Sequence, residues 1–210
     1  MIFRLPEDEI VFPDPQLAEQ DGLLAIGGDL SMQRLLLAYR NGIFPWFSED
    51  DPICWYSPHS RCVIYPDNVK VSKSMQKVIS KDTFIVTYNK AFSDVISKCS
   101  KIGRKEQSGT WITNDMQKAY ISLHHHGHAG SVEVWLRDEL VGGLYGVLIN
   151  NVFCGESMFS QVSNASKTAL IWLCRSGKFK MIDCQLPNEH LVSLGAEMIS
   201  REKYMELLTS

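Results

Sequence analysis

Two short segments of the 210-residue chain concentrate side chains able to handle protons and carbonyl groups. In Gly155-Glu156-Ser157-Met158-Phe159-Ser160 a carboxylate stands inside an otherwise apolar strand. A carboxylate buried there needs a partner, because unpaired charge out of water is costly. In Met181-Ile182-Asp183-Cys184-Gln185 an acid and an amide stand two positions apart, so a regular strand turns both to one face. That pairing can orient an amine and relay a proton. Each segment also has a plain structural reading: a glutamate held by backbone N–H groups, and an Asp and Gln that end a strand and begin a turn.

Trp46, Trp55 and Trp111 sit beside loop-forming residues rather than inside periodic apolar runs. Such a ring at a loop rim suits stacking on a base, although most single tryptophans plug a core. Lys73, Lys77 and Lys81 recur every four residues, with Lys70 just before them. In a helix they form one basic stripe, either a phosphate track or a solvated face. His124, His125, His126 and His128 include a pair four apart, but Gly127 interrupts the helix and no Glu, Asp or Cys completes a zinc pattern. No metal is expected. Gly142-Gly143 and Gly146 lie within a hairpin strand and open no helix, which argues against a phosphate loop. The six cysteines contain no C-x-x-C pair and read as reduced thiols.

The elements that must position these groups follow from punctuation and periodicity. Up to about residue 65 the chain is dense in Pro and Gly, and one helix fits, capped by Ser31 and closed by Gly42. From Val69 onward the spacing predicts helices over 72–80, 91–99 and 114–126, and a strand over 84–87. Three β-runs follow over 131–136, 140–149 and 152–159, joined by short polar turns as an antiparallel meander. A helix capped by Ser163 or Asn164, a strand over 181–184, a brief helix through Leu194 and a final helix over 201–208 complete the chain. The expected fold is α+β: a small N-terminal domain at 1–65 and a mixed α/β sheet domain at 66–210, in an order compatible with an acetyltransferase-like sheet.

Hydrophobic residues make up 45% of the chain and charged residues 21%, the balance of an ordinary globular protein. A net charge of -3 argues against a body that grips DNA or RNA through a global basic field, so nucleic-acid contact must be local. The first ten residues carry Arg4, Glu7, Asp8 and Glu9 without a signal-peptide run, and no apolar stretch reaches membrane-spanning length. A cytoplasmic protein is expected.

Taken together, Gly22-Leu23-Leu24-Ala25-Ile26-Gly27-Gly28-Asp29-Leu30, Ala38 to Trp46, Thr110-Trp111-Ile112, Ser131-Val132-Glu133-Val134-Trp135, Leu140 to Val147, Phe153 to Ser160, Ala165-Ser166-Lys167, Ile182-Asp183-Cys184-Gln185 and Ser193-Leu194-Gly195-Ala196 resemble the leucyl/phenylalanyl-tRNA-protein transferases of bacteria over nearly the whole chain. The resemblance implies a larger domain of acetyltransferase (GNAT) type. It implies an enzyme that moves Leu, Phe or Met from aminoacyl-tRNA to proteins beginning with Arg or Lys, marking them for degradation; a monomer is expected. Trp46 and Trp111 would hold the 3′ adenosine, and Leu144, Phe153, Met158, Leu170, Leu173 and Ile182 the amino-acid side chain. Asp183 and Gln185 fall on the catalytic pair, and Glu156 on a carboxylate near the acceptor site.

An aminoacyl ester is already activated, so no cofactor is expected and positioning carries the reaction. Asp183 is expected to orient the amine, Gln185 to contact the reacting centre, and backbone N–H groups over 155–158 to receive the carbonyl oxygen. Lys73, Lys77 and Lys81 would contact tRNA phosphates. Two positions depart from the family pattern: Gly130 replaces a His, and Gln161 replaces a basic residue. The alternatives are an acyl-coenzyme A-dependent acetyltransferase, which should show a glycine-rich pyrophosphate loop entering a helix, and a non-catalytic RNA-binding module.

Overall fold

A computed structural model describes residues 2–102 and 112–210. The N-terminal part builds a four-stranded sheet from β1 (Phe3–Leu5), β2 (Leu23–Gly27), β3 (Phe44–Pro45) and β4 (Cys54–Tyr56), in the order β1-β2-β4-β3. Helix α1 (Met32–Arg40) connects β2 to β3. Ser31 starts it, its hydroxyl accepting from the Arg34 N–H at 3.3 Å. Just past its end Gly42 takes φ +69°, a left-handed turn that glycine adopts without strain. Trp55 is not a rim residue: it is fully buried, its indole donates to the Gly27 carbonyl at 2.9 Å, and Phe12 packs edge-on at 4.9 Å. Its apolar area wins over its loop-side position in sequence.

The second sheet has seven strands. Along the chain come β5 (Ser60–Ile64), α2 (Lys73–Ser80), β6 (Ile85–Tyr88), α3 (Phe92–Ser100), α4 (Asn114–His125), β7 (Ala129–Leu136), β8 (Glu139–Ile149), β9 (Val152–Ser160), α5 (Ala165–Arg175), β10 (Met181–Gln185), α6 (Glu189–Ser193), β11 (Glu197–Ser200) and α7 (Arg201–Thr209). Their order in the sheet is β11-β5-β10-β9-β8-β7-β6. The meander β7-β8-β9 is antiparallel, its turns carried by left-handed Arg137, Asp138 and Asn150. After α5 the chain returns as β10, parallel to β9 and antiparallel to β5.

Strands β5 and β11 do not emerge from the sequence pattern. Because β5 joins the larger sheet, sheet membership divides the chain near Pro58, inside the stretch assigned by punctuation to the first domain. Side chains alternate across the sheet. Val132, Val134, Leu144, Phe153 and Ile182 pack with α5 residues such as Ala169, Leu170 and Leu173. Tyr145, Val147 and Cys154 pack with α3, α4 and the N-terminal sheet. Gly142 belongs to this architecture rather than to a phosphate loop, since a Cβ there would meet that of Ala165 at 2.5 Å. Among the described residues no helix is long and apolar enough to cross a membrane.

Candidate active site

Two cavities open side by side along the middle of β9 and the end of β10. The larger, about 700 Å³, is lined by all six residues Leu144, Phe153, Met158, Leu170, Leu173 and Ile182, together with residues of α6. The smaller, about 150 Å³, is walled by Phe44, Pro45 and Trp46. Both are bordered by Glu156, Cys184, Gln185 and Leu186, so an apolar chamber and an aromatic recess meet at a carboxyl and an amide. Trp46 is half-buried, with its ring 5.7 Å from that of Tyr56.

Two β-bulges produce this junction. Gly155 pairs with Gly146 and Ser157 with Tyr145, which leaves Glu156 as the extra residue of β9. Asp183 pairs with Val63 and Gln185 with Cys62, which leaves Cys184 as the extra residue of β10. A bulge shifts the alternation of side chains by one position. Asp183 and Gln185 therefore do not share a face, contrary to the period-two expectation. Gln185 borders both cavities, takes φ +55°, and its Nε2 is buried without a hydrogen-bond partner among the described residues.

Asp183 borders neither cavity and is fully buried. Arg61 holds it bidentately, Nε to Oδ1 at 2.9 Å and Nη2 to Oδ2 at 2.8 Å. The Tyr204 hydroxyl donates to Oδ2 at 2.9 Å and the Gln185 backbone N–H to Oδ1 at 2.9 Å. Arg61 also donates to the Gly42 carbonyl at 3.0 Å and lies between the rings of Phe44 and Tyr204, at 4.7 and 4.6 Å from their centroids. Burial works against its charge, but Asp183 more than offsets this and raises its pKa. Because Asp183 borders neither cavity, the geometry does not support its direct contact with an incoming amine. It supports a clamp on the backbone of Gln185.

Glu156 is held differently. Tyr39 donates to its Oε1 at 2.6 Å, Tyr120 lies 3.1 Å from its Oε2, and the two hydroxyls are 2.6 Å apart. Burial pushes the carboxyl up to about 7, against the opposing effect of the tyrosine hydrogen bonds. Burial, and then the Glu156 charge, push both phenols well above their ordinary value. The Cys184 thiol is also pushed up, first by its hydrogen bond with Cys62 and then by burial, so it is not an activated nucleophile.

Sequence reasoning missed Tyr39, Tyr120, Arg61 and Tyr204. Only Arg61 left a signal, as a charge ahead of the apolar run Cys62-Val63-Ile64. Trp111 lies outside the described residues. Thr113 caps α4, accepting from the Met116 N–H at 3.2 Å. Lys73 and Lys77 lie on α2 and Lys81 at its C-cap, all exposed. The helix packs on α5, and none of the three borders either cavity. His124 stacks on Phe92 at 4.3 Å, with its Nδ1 2.9 Å from the Ala129 carbonyl.

The two departures acquire a physical setting. A Cβ on Gly130 would come within 2.7 Å of the Tyr88 hydroxyl and 3.1 Å of Asn89 Oδ1. Gln161 accepts from Lys98 Nζ at 3.4 Å, so a cation from α3 stands beside that position.

In this mixed α/β body an apolar chamber and an aromatic recess are joined at a carboxyl and an amide. Residues 63–209 match the family model described as leucyl/phenylalanyl-tRNA protein transferase, and residues 28–59 match the model of its N-terminal domain. Relatives named leucyl/phenylalanyl-tRNA–protein transferase include those of Flavobacterium johnsoniae, 53% identical over 96% of this chain and 97% of the relative, and of Flavobacterium psychrophilum, 55% identical over 95% and 96%. That of Syntrophobacter fumaroxidans is 51% identical over 99% of this chain and 89% of its own. The chain belongs to the leucyl/phenylalanyl-tRNA–protein transferase family, a family of aminoacyltransferases.

Proposed function

We propose that the chain moves Leu, Phe or Met from the 3′ end of its tRNA to the N-terminal Arg or Lys of an acceptor protein in the cytoplasm, marking that protein for degradation. One observation carries this reading: the apolar chamber and the Trp46 recess meet at Glu156 and Gln185. An amino-acid side chain in the chamber and an adenine on Trp46 bring the ester between them to that junction. Stacking of a base on an aromatic ring contributes about 1–3 kcal/mol. Trp111 completes the adenosine site by resemblance, and the exposed stripe Lys73, Lys77 and Lys81 meets tRNA phosphates.

The ester already holds the energy of the new peptide bond, so the protein's part is to align an amine with the carbonyl and receive the developing oxyanion. The unpartnered Nε2 of Gln185 supports a contact with the reacting centre, and backbone N–H groups over 155–158 receive that oxygen. Asp183 is a positioning residue, holding Gln185 through its backbone N–H while Arg61 and Tyr204 hold Asp183. The meander, α5 and the parallel return of β10 beside β9 support an acetyltransferase-type sheet.

The test is transfer of labelled leucine from leucyl-tRNA to a peptide beginning with Arg, by the single chain and without coenzyme A. Met158→Trp narrows the chamber and should reject Phe more than Leu, because exclusion grows with the bulk to be fitted. Trp46→Ala should lower use of charged tRNA by about 5- to 150-fold. Transfer only from an acyl-coenzyme A, or RNA affinity without turnover, would replace this reading with one of its two rivals.

A further inference from the structure

We infer that Tyr39, Tyr120 and Glu156 form one hydrogen-bonded ring that keeps Glu156 as a neutral acid at the cavity junction, where it gives its proton to the departing ribose oxygen. The inference rests on the aminoacyl-transfer reading. Its basis is a count of protons. The ring has three close contacts: 2.6 Å between the two hydroxyls, 2.6 Å from Tyr39 to Oε1 and 3.1 Å between Tyr120 and Oε2. Two phenols bring two protons, so an ionised Glu156 leaves one pair of oxygens in contact with no proton between them. A protonated carboxyl supplies the third. Tyr39 then donates to Oε1, Tyr120 donates to Tyr39, and Glu156 donates from Oε2 to Tyr120.

The surroundings agree with this count. Tyr39 and Tyr120 are fully buried and border neither cavity, whereas Glu156 borders both. The tyrosines are thus positioning residues, and the carboxyl is the member exposed to substrate. The charged groups acting on Glu156 are Asp183 and Arg61, which oppose each other and are already paired. Tyr145 packs on Tyr120 with ring centroids 5.8 Å apart, and Cys184 and Gln185 border the same cavities.

In the reaction the acceptor nitrogen forms a bond to the ester carbonyl carbon, and the bond from that carbon to the ribose oxygen breaks. The Oε2–H of Glu156 leaves Tyr120 for the cavity side and protonates the departing oxygen, and Tyr120 turns its own hydroxyl to the carboxylate so formed. The surplus proton on the new amide nitrogen returns to the carboxylate and restores the ring. No net proton is consumed and no oxidant or reductant is needed.

Isotope-edited infrared spectroscopy of the full chain tests the resting state. At about pH 6 the wild type should show the carbonyl stretch of one neutral carboxyl that Glu156→Gln removes, and Tyr39→Phe should move its titration alkaline, since it removes a donor to the ionised form. With leucyl-tRNA and an Arg-initial peptide, Glu156→Gln should lower kcat on the order of 10²- to 10⁴-fold, with KM for the tRNA nearly unchanged and thermal melting confirming the fold. Absence of the neutral band, or a folded Glu156→Gln with near-normal kcat, overturns the inference. A wild type that shows the band yet transfers nothing overturns the aminoacyl-transfer reading instead and leaves the ring standing.

Discussion

Asp183 and Glu156 are carboxyl groups one strand apart, on parallel neighbours β10 and β9, yet the molecule treats them in opposite ways. Asp183 meets a guanidinium fork, a phenol and a backbone N–H, four donors to its two oxygens. Among the described residues Glu156 meets two phenols, and its ordinary range is left behind for about 7. Burial disfavours charge for any carboxyl, so what decides the outcome is the partner. The Arg61 fork ties up Asp183 away from both cavities. Hydroxyls beside Glu156 leave an acid whose proton is available near neutral pH. Two similar residues therefore divide the work between holding the site and facing it.

Breaking the Asp183 side should have the largest effect. Asp183→Asn leaves the Arg61 charge buried without compensation, and removing one partner of a buried ion pair costs about 3–5 kcal/mol. Urea denaturation should show this loss. A midpoint within experimental error of wild type would mean that the clamp is not structural.

Arg61→Lys keeps the charge but loses the two-pronged geometry, and a lost hydrogen bond to a charged group costs about 1.5–3 kcal/mol. In the same denaturation experiment it should fall between wild type and Asp183→Asn. A loss as large as that of Asp183→Asn would show that the fork, rather than the charge, holds Asp183.

The Glu156 side should respond chiefly to pH. Its folded value, about 7, lies above its ordinary 4.5. It therefore contributes stability that is present in full below about 4.5 and is lost as pH rises through about 7. In Glu156→Gln this decline should be absent, leaving a flatter stability curve between those values. Parallel curves for the two proteins would show that the Glu156 carboxyl is not raised. The smallest effect should come from Tyr204→Phe, which removes one of the four donors to Asp183 and should cost about 1 kcal/mol, with no change in the pH dependence.

Much of the chain was legible before its fold was known. Ser31 appears as a helix cap because a hydroxyl ahead of an apolar period has one local use. The meander was readable from three β-rich runs and their polar turns, since alternation and turn chemistry are both short-range. Strands β5 and β11 were not, because the first hides among turn residues and the second is short and mostly exposed. In the site, the six apolar residues around the chamber came from motif resemblance rather than from periodicity. The ring of Tyr39, Tyr120 and Glu156 joins residues 36 to 117 positions apart, a distance over which no pattern operates.

By itself the sequence determined the main helices and the meander of the larger sheet domain, the family, and the presence of an acid and an amide at the end of one strand. Only the tertiary structure decided what each does. One extra residue in β10 turns Asp183 inward to Arg61 and Gln185 outward to the cavities, and one in β9 leaves Glu156 off the ladder. A bulge depends on how a strand registers with both neighbours. That information is absent from any single segment and exists only once the sheet has formed.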